Sequence, residues 1–338
     1  MAEQVPGLDL ERAGGLLVEA AQGRLTGPLT AELIAGGRSN LTYVVRGATG
    51  EVVVRRPPLA LVLPSAHDMS REYRVTAALS EVGFPVARPL LLCTDADVIG
   101  APFYVMEYVD GVVLRGDALS TVDAEAAERC GTALVDTLLR LHAIDYAAIG
   151  LGDFGRPDGY LARQVRRWHE QWERAKTREL PLLDSVTQRL RDSLPDSPRP
   201  GIVHGDYRLD NVMLDQGLRE IRAVVDWEMA TVGDPLADVG LMVVYTDSSG
   251  LRLVPSVPKG FPSGRELAQR YAEASGIGLD RLDWYVAFGF FKLAVISEGI
   301  HARYLLGRTV GEGFETFGAA VPVLIDQADA ALAGYDRN

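Results

Sequence analysis

The stretch from Ile202 to Leu214, IVHGDYRLDNVML, constrains this chain more than any other, because it sets chemically demanding groups between two apolar flanks. The flanks read as short buried strands and the polar centre as the loop between them. Asp206 and Asn211 stand five positions apart with Arg208 between them. The loop therefore offers an acceptor-only carboxylate, an amide oxygen and a permanent cation to one locus. Downstream, Ala223 to Val225 form a second short apolar run that ends in Asp226, Trp227 and Glu228. A plain strand followed by a polar turn would use Asp and Asn only for turn chemistry. That reading leaves the second Asp and the ordered motifs upstream without a reason.

The pattern H-x-D-x-x-x-x-N followed by a strand-terminal Asp is that of a phosphoryl-transfer loop. One Asp accepts the proton of the attacking hydroxyl, while the Asn and the later Asp hold magnesium. Magnesium takes hard oxygen ligands and keeps several waters, so a carboxylate and an amide oxygen suffice once nucleotide phosphates complete the octahedron. On these residues the chain resembles the aminoglycoside phosphotransferase and choline kinase group of small-molecule kinases, which share the protein-kinase fold. The resemblance runs through GGRSNLTYVV, VVVRRPP, REYRVTAAL, GFPVARPL, FYVMEYVDG, DWEMATVGDPLADVG and GIHARYLLG. Its nearest branch is the one similar to the kinase-like domains of acyl-CoA dehydrogenase family members 10 and 11. It implies an α+β, protein-kinase-like fold of two lobes: a small lobe with a five-stranded antiparallel sheet and a larger, mainly helical lobe. Residues 1–109 are expected to form the nucleotide-binding lobe with a leading helix and the hinge, and 110–338 the catalytic and substrate-binding lobe. A length of 338 residues accommodates both, at ~100 to 200 residues per domain.

In the first lobe, Leu8, Leu10, Leu16 and Leu17 predict a short leading helix over 8–22, weakened by Gly14-Gly15. Apolar runs at Leu33 to Ala35, Tyr43 to Val45 and Val52 to Val54, separated by tight turns, predict a meander. The turn from Gly36 to Asn40 is a candidate phosphate loop: Gly37 lets backbone N–H groups approach an anion, and Ser39 and Asn40 add donors. A plain hairpin turn uses the same residues. The general kinase pattern next has a lysine on the phosphates, paired with a helix glutamate. This chain has no lysine in its first 175 residues, and its third strand ends Arg55-Arg56-Pro57-Pro58. Strand alternation puts Val53 and Arg55 on one face and Arg56 on the other. The resemblance implies that Val53 lines the adenine pocket and Arg55 reaches the phosphates, with Glu72 as its partner in the first turn of a helix predicted from Arg71 to Leu79. Solvated arginines, and a glutamate placed to suit the helix dipole, are the alternatives. Leu90 to Cys93 and Phe103 to Met106 complete five strands. Glu107 to Gly111 follows as the hinge, and the resemblance assigns Glu107 and Val109 to adenine through their main-chain groups.

In the second lobe a strongly periodic helix is predicted over Asp123 to Ala143, and another over Tyr160 to Trp172. The run Gly233 to Asp238 is expected to brace the catalytic loop and start a helix, and Asp283 to cap a buried helix reaching about Leu306. By resemblance, Asp206 is the catalytic base, Arg208 stabilises charge on the transferred group, and His204 orders the loop. Asn211 and Asp226 are the magnesium ligands, with Glu228 aiding a second metal. ATP and Mg²⁺ are the expected cofactors and a small-molecule hydroxyl the acceptor. Arg163, Arg166, Arg167 and Arg174, with Trp168, Trp172, Lys292, His301 and Arg303, suit an anionic or partly apolar acceptor such as a hydroxyacyl-CoA or hydroxy acid. An aminoglycoside is a polycation and needs carboxylates instead. The alternative places these arginines in solvent, paired with Glu170 and Glu173. A regulatory pseudokinase is a further alternative, but such chains usually lose the base or a metal ligand, and Asp206, Asn211 and Asp226 are all present.

A net charge of −12 argues against nucleic acid as a partner. No apolar run approaches the ~18 residues that span a bilayer, and MAEQVPGLDLERAG lacks a basic region followed by an apolar one. The expectation is a cytoplasmic protein without a membrane partner, a monomer or homodimer. Cys93 and Cys130 have no ligand partners at metal spacing and read as core thiols.

Overall fold

A hairpin meander opens the sheet because β-branched and aromatic residues alternate between two faces. In the computed structural model, which describes residues 5–34, 40–59, 68–197, 199–248, 256–307 and 313–335, the leading helix is α1, Leu10–Ala20. Asp9 caps it by accepting from Glu11 N and Arg12 N. Strands β1 (Thr30–Leu33), β2 (Leu41–Arg46), β3 (Glu51–Arg56), β4 (Pro89–Cys93) and β5 (Phe103–Glu107) form one antiparallel sheet in the order β1-β2-β3-β5-β4. Helix α2, Met69–Glu81, intervenes after β3; its cap Asp68 accepts from Ser70 N and Arg71 N at 3.0 and 3.2 Å.

The register pairs Tyr43 with Val54 and Val45 with Val52. These four side chains join Phe103 and Val105 in a core shared with Ala13 and Leu17 of α1. The opposite face carries Val53, Arg55 and Tyr104, and α2 packs against β4 and β5. Arg56 points into the α1 side, where its Nη1 donates to the carbonyls of Gly7 and Ile99 at 2.6 and 2.8 Å.

The remaining elements are α3 (Ala124–Ala143), α4 (Tyr160–Ala175), α5 (Pro181–Asp192), β6 (Gly201–Val203), β7 (Val212–Leu214), β8 (Ile221–Val224), β9 (Thr231–Gly233), α6 (Leu236–Asp247), α7 (Gly264–Ser275), α8 (Leu282–Leu305) and α9 (Phe317–Tyr335). β6 pairs with β9, and β7 with β8, as two-stranded ribbons. The chain divides into two compact units that are not consecutive in sequence. One comprises Met1–Val112, Met213–Asp215 and Arg222–Ala230; the other comprises Val113–Val212, Gln216–Ile221 and Thr231–Asn338.

One boundary differs from the sequence reading, and two helices that it did not include start on local signals. α8 starts at Leu282 behind Arg281, so Asp283 lies inside the first turn and pairs with Arg265 at 2.5 Å rather than capping. α5 begins at Pro181, whose fixed φ suits the first helical turn. α7 carries a capping box, Ser263 with Glu266, which was readable as S-x-x-E.

Candidate active site

The first unit builds its polar centre on Arg55. An arginine at the end of β3 can do what a lysine cannot, because its planar fork reaches two acceptors at once. Nε donates to Glu72 Oε2 at 2.8 Å and Nη2 to Asp226 Oδ1 at 2.6 Å, while Nη1 reaches Thr42 Oγ1 at 3.3 Å. Glu72, only 2% exposed, also accepts from Tyr104 OH at 3.2 Å and from Asn40 Nδ2 at 2.7 Å. Burial opposes the Arg55 charge, but Glu72, Tyr104 and Asp226 outweigh it, so the guanidinium holds its proton more tightly than usual. Asp226 follows β8 with φ +69°, a left-handed conformation that Asp tolerates better than most residues. That turn starts a short 3₁₀ segment, Trp227–Met229, in which Trp227 Nε1 donates to the Val224 carbonyl at 2.9 Å.

The other first-unit residues singled out in the sequence fall as follows. Asn40 commits its side-chain donor to Glu72 and, at 3.5 Å, to Glu228 Oε2, so an anion there would meet its backbone N–H rather than its amide. Gly37 and Ser39 lie outside the described residues. Val53 is buried on the Arg55 face of the sheet. The Glu107 carboxylate takes Arg24 and Arg88. Its N–H donates to the Arg88 carbonyl at 2.9 Å, leaving its carbonyl and the half-buried Val109 as main-chain contacts for a ligand.

The second unit holds the loop between β6 and β7. Gly205 takes φ +83°, which a side chain would disfavour, and this turn delivers Asp206. Asp238 of α6 clamps the turn from behind: Oδ2 accepts from His204 N at 2.7 Å and Oδ1 from Gly205 N at 2.8 Å. His142 of α3 adds a 3.3 Å contact to Asp238 and a 2.9 Å contact to Tyr271 OH, so it is a buried brace. His204 is fully buried, and its Nδ1 accepts from Asp206 N at 3.2 Å.

Asp206 itself is held on both oxygens. Tyr245 OH of α6 donates to Oδ1 at 2.5 Å, and Asn211 Nδ2 donates to Oδ2 and to the Asp206 carbonyl, both at 2.9 Å. Arg208 Nε lies 3.4 Å from Asp206 Oδ2 and 3.2 Å from Asp210 Oδ1, with its guanidinium 5.0 Å from the centre of the Tyr245 ring. Burial alone would push the Asp206 carboxyl up; Arg208, the Tyr245 hydroxyl and Lys292 outweigh it and hold it below its ordinary value. Such a group is a carboxylate at neutral pH, oriented from several sides and able to accept a proton. Tyr245 gave no sequence signal, since it ends a continuous apolar helix.

Donating the Asn211 nitrogen to Asp206 leaves the amide oxygen as that side chain's offer to a cation. Asp226, 28% exposed, and Glu228 add carboxylate oxygens in the first unit. In each unit these donors are oxygens, a type that suits magnesium rather than a softer metal.

The cationic group proposed in the sequence to face the acceptor is not brought together. Trp168 and Trp172 are buried. Arg163 donates to the carbonyls of Arg156 and Asp158, and Arg166 pairs with Glu170 at 3.8 Å across an exposed face. Arg167, Arg174 and Arg303 are exposed, and His301 packs against Gly318. Lys292 alone turns toward the loop, donating to the Gly205 carbonyl beside the Trp168 ring.

The model of the phosphotransferase enzyme family matches residues 30–285. The chain belongs to this family. Among curated relatives of this phosphotransferase, mouse acyl-CoA dehydrogenase family member 10 is 38% identical over 291 residues, which is 84% of this chain and 27% of that protein. Chicken acyl-CoA dehydrogenase family member 11 is 36% identical over 313 residues, 89% of this chain and 40% of that protein. The chain thus spans two fifths or less of the length of these relatives. A solved structure described as an aminoglycoside phosphotransferase from Ralstonia eutropha superposes with TM-score 0.81 at 30% identity, covering 96% of this chain and 98% of that one. An aminoglycoside phosphotransferase solved with ADP and hygromycin B superposes with TM-score 0.61 at 14% identity, covering 94% and 97%, a likeness of fold. The fold is α+β and protein-kinase-like, as the sequence predicted. Among the described residues no helix is long and apolar enough to cross a membrane.

Proposed function

We propose that this phosphotransferase moves the γ-phosphoryl group of ATP, with Mg²⁺, to a hydroxyl of a small molecule, and that the acceptor is a hydroxyacyl-CoA or a related hydroxy acid. The observation that carries the reading is Asp206: a half-buried, ionised carboxylate oriented by Tyr245 and Asn211 on a glycine turn. In the reaction Asp206 accepts the proton of the attacking hydroxyl. Arg208, lying between Asp206 and Asp210, offsets charge on the transferred group. His204 and Asp238 hold the turn and take no proton. Arg55 is the proposed phosphate clamp, fixed by Glu72; Asn40, Val53 and the main chain of Glu107 and Val109 are the proposed nucleotide contacts. Asn211 and Asp226, with Glu228, are the proposed magnesium ligands, and a cation held by them would offset the charge of the nucleotide phosphates.

For the acceptor, support comes from the acyl-CoA dehydrogenase relatives and from the cation, Lys292, turned toward the catalytic loop. An aminoglycoside would need free carboxylates near Asp206, where Asp238 is hydrogen-bonded to the His204 and Gly205 N–H groups and Asp210 is ion-paired with Arg208. The test compares phosphate transfer from ATP to a hydroxyacyl-CoA series, to the free hydroxy acids and to kanamycin-type aminoglycosides. Transfer to the first two is expected. Efficient aminoglycoside turnover without acyl-CoA or hydroxy-acid activity would return the chain to the antibiotic-modifying branch.

A further inference from the structure

We propose that the small cavity beside Lys292 is a carboxylate subsite, which, on the kinase reading above and for a free hydroxy acid as acceptor, receives the acceptor's carboxylate. A cavity of about 20 Å³ lies between α4, α6 and α8, with Gln164, Trp168, Gly205, Asp238, Phe288 and Lys292 among its lining residues. It holds a group of water size, which is one end of a carboxylate. Lys292 is 7% exposed, and its ammonium has three donors. One goes to the Gly205 carbonyl, and the charge stands 5.4 Å from the centre of the Trp168 ring.

Among the described residues no carboxylate pairs with that ammonium at ion-pair distance. The two acids that act on it most strongly, Asp206 and Asp238, have both oxygens engaged elsewhere. A buried ammonium with unfilled donors is costly, and a carboxylate oxygen entering the cavity supplies an acceptor at direct contact. Gln164 and Gly205 are half-exposed and mark the mouth. A monoanion suits the place better than a phosphate dianion, because Asp206 and Asp238 already put negative charge nearby. An acceptor ammonium would be repelled by Lys292. Gly205, which lines the cavity, immediately precedes Asp206, so an acid anchored here lies against the turn that carries the proposed base.

The chain has only three lysines, Lys176, Lys259 and Lys292, so protein labelled with ¹³Cε-lysine gives three resolvable side-chain signals. Lys292→Met assigns one by its loss; should that variant fail to fold, Trp168→Phe assigns the same signal by removing the indole ring current. Titration with sodium acetate at constant ionic strength is expected to shift the Lys292 signal saturably, with the other two moving weakly and linearly. No saturable shift up to about 100 mM, or equal shifts of all three, would overturn the subsite. A response to inorganic phosphate but not to acetate would overturn the carboxylate assignment and make the cavity a phosphate contact. The readout needs no turnover, so its failure leaves the kinase reading standing, and failure of the kinase reading leaves a saturable acetate response intact.

Discussion

Asp206 is gripped through both oxygens, so its substitution tests chemistry with little disturbance of shape. Asp206→Asn keeps the size of the side chain and removes the proton acceptor. Turnover is expected to fall by ~10² or more, the usual cost of losing a general base, with nucleotide affinity nearly unchanged. Initial rates and calorimetric ATP binding check the two halves separately; near-parental turnover would remove Asp206 from the mechanism. Arg55 is a different case, because it is both the proposed clamp and a structural tie. Arg55→Ala leaves Glu72 buried opposite no cation, and breaking such a pair typically costs about 3 kcal/mol or more. Arg55→Lys is expected to regain only part of that loss, since a single ammonium must reach Glu72 and Asp226 from one point, without the separate arms that Nε and Nη2 provide. Urea unfolding of the three proteins orders them, and equal midpoints for the Lys and parent proteins would show that the fork adds nothing.

At the scale of elements, α6 is the support of the catalytic turn, through Asp238 at its first turn and Tyr245 near its end. Burial pushes the Asp238 carboxyl up, but His142, His204 and the Gly205 N–H outweigh it, and the net position is below the ordinary value. A carboxyl depressed by folding stabilises the protein above its unfolded value, about 3.9, and that stability is lost as pH falls through the folded value. Asp238→Asn is therefore expected to be less stable by about 3 kcal/mol at pH 7, with the gap to the parent closing below roughly pH 4. Denaturation midpoints between pH 3 and 7 decide it; a gap independent of pH would assign the loss to packing. The elements that were legible in the sequence are those whose signals are local. The alternation in β3 placed Arg55 and Arg56 on opposite faces, and the helix read from Arg71 to Leu79 falls within α2. The support of Asp206 was only partly legible. The run to Asp238 suggested a brace, but Tyr245 looks like any other residue of an apolar helix, and only the packing of α6 turns its hydroxyl to the loop. The arginines of α4 misled for the reverse reason. Their charge suggested a ligand face, whereas Trp168 and Trp172 turn that helix inward, and Arg163 satisfies carbonyls of its own approach loop.

For the molecule as a whole, the division into units bears on what can fold alone. Cutting the chain after the hinge suggests an independent amino-terminal piece, yet the unit that contains the sheet also contains Met213–Asp215 and Arg222–Ala230. Those segments are tied to it in several ways. Val112 and Leu214 exchange backbone hydrogen bonds at 2.8 Å, and Val224 N donates to the Pro85 carbonyl at 2.8 Å. Trp227 meets the ring of Phe84 edge-on at 6.0 Å, and Asp226 takes Arg55 at 2.6 Å. Losing a buried tryptophan alone costs about 3 to 5 kcal/mol, a large share of the roughly 5 to 15 kcal/mol that stabilises a typical domain. A fragment of residues 1–112 is therefore expected to lack a cooperative thermal transition. Joining residue 112 to 213–230 through a short flexible linker is expected to restore one, because Val112 and Leu214 already lie side by side. Circular dichroism melts of the two fragments test this. A cooperative transition in 1–112 alone, at the temperature of the linked fragment, would show that the returning segments add nothing to the stability of the sheet unit.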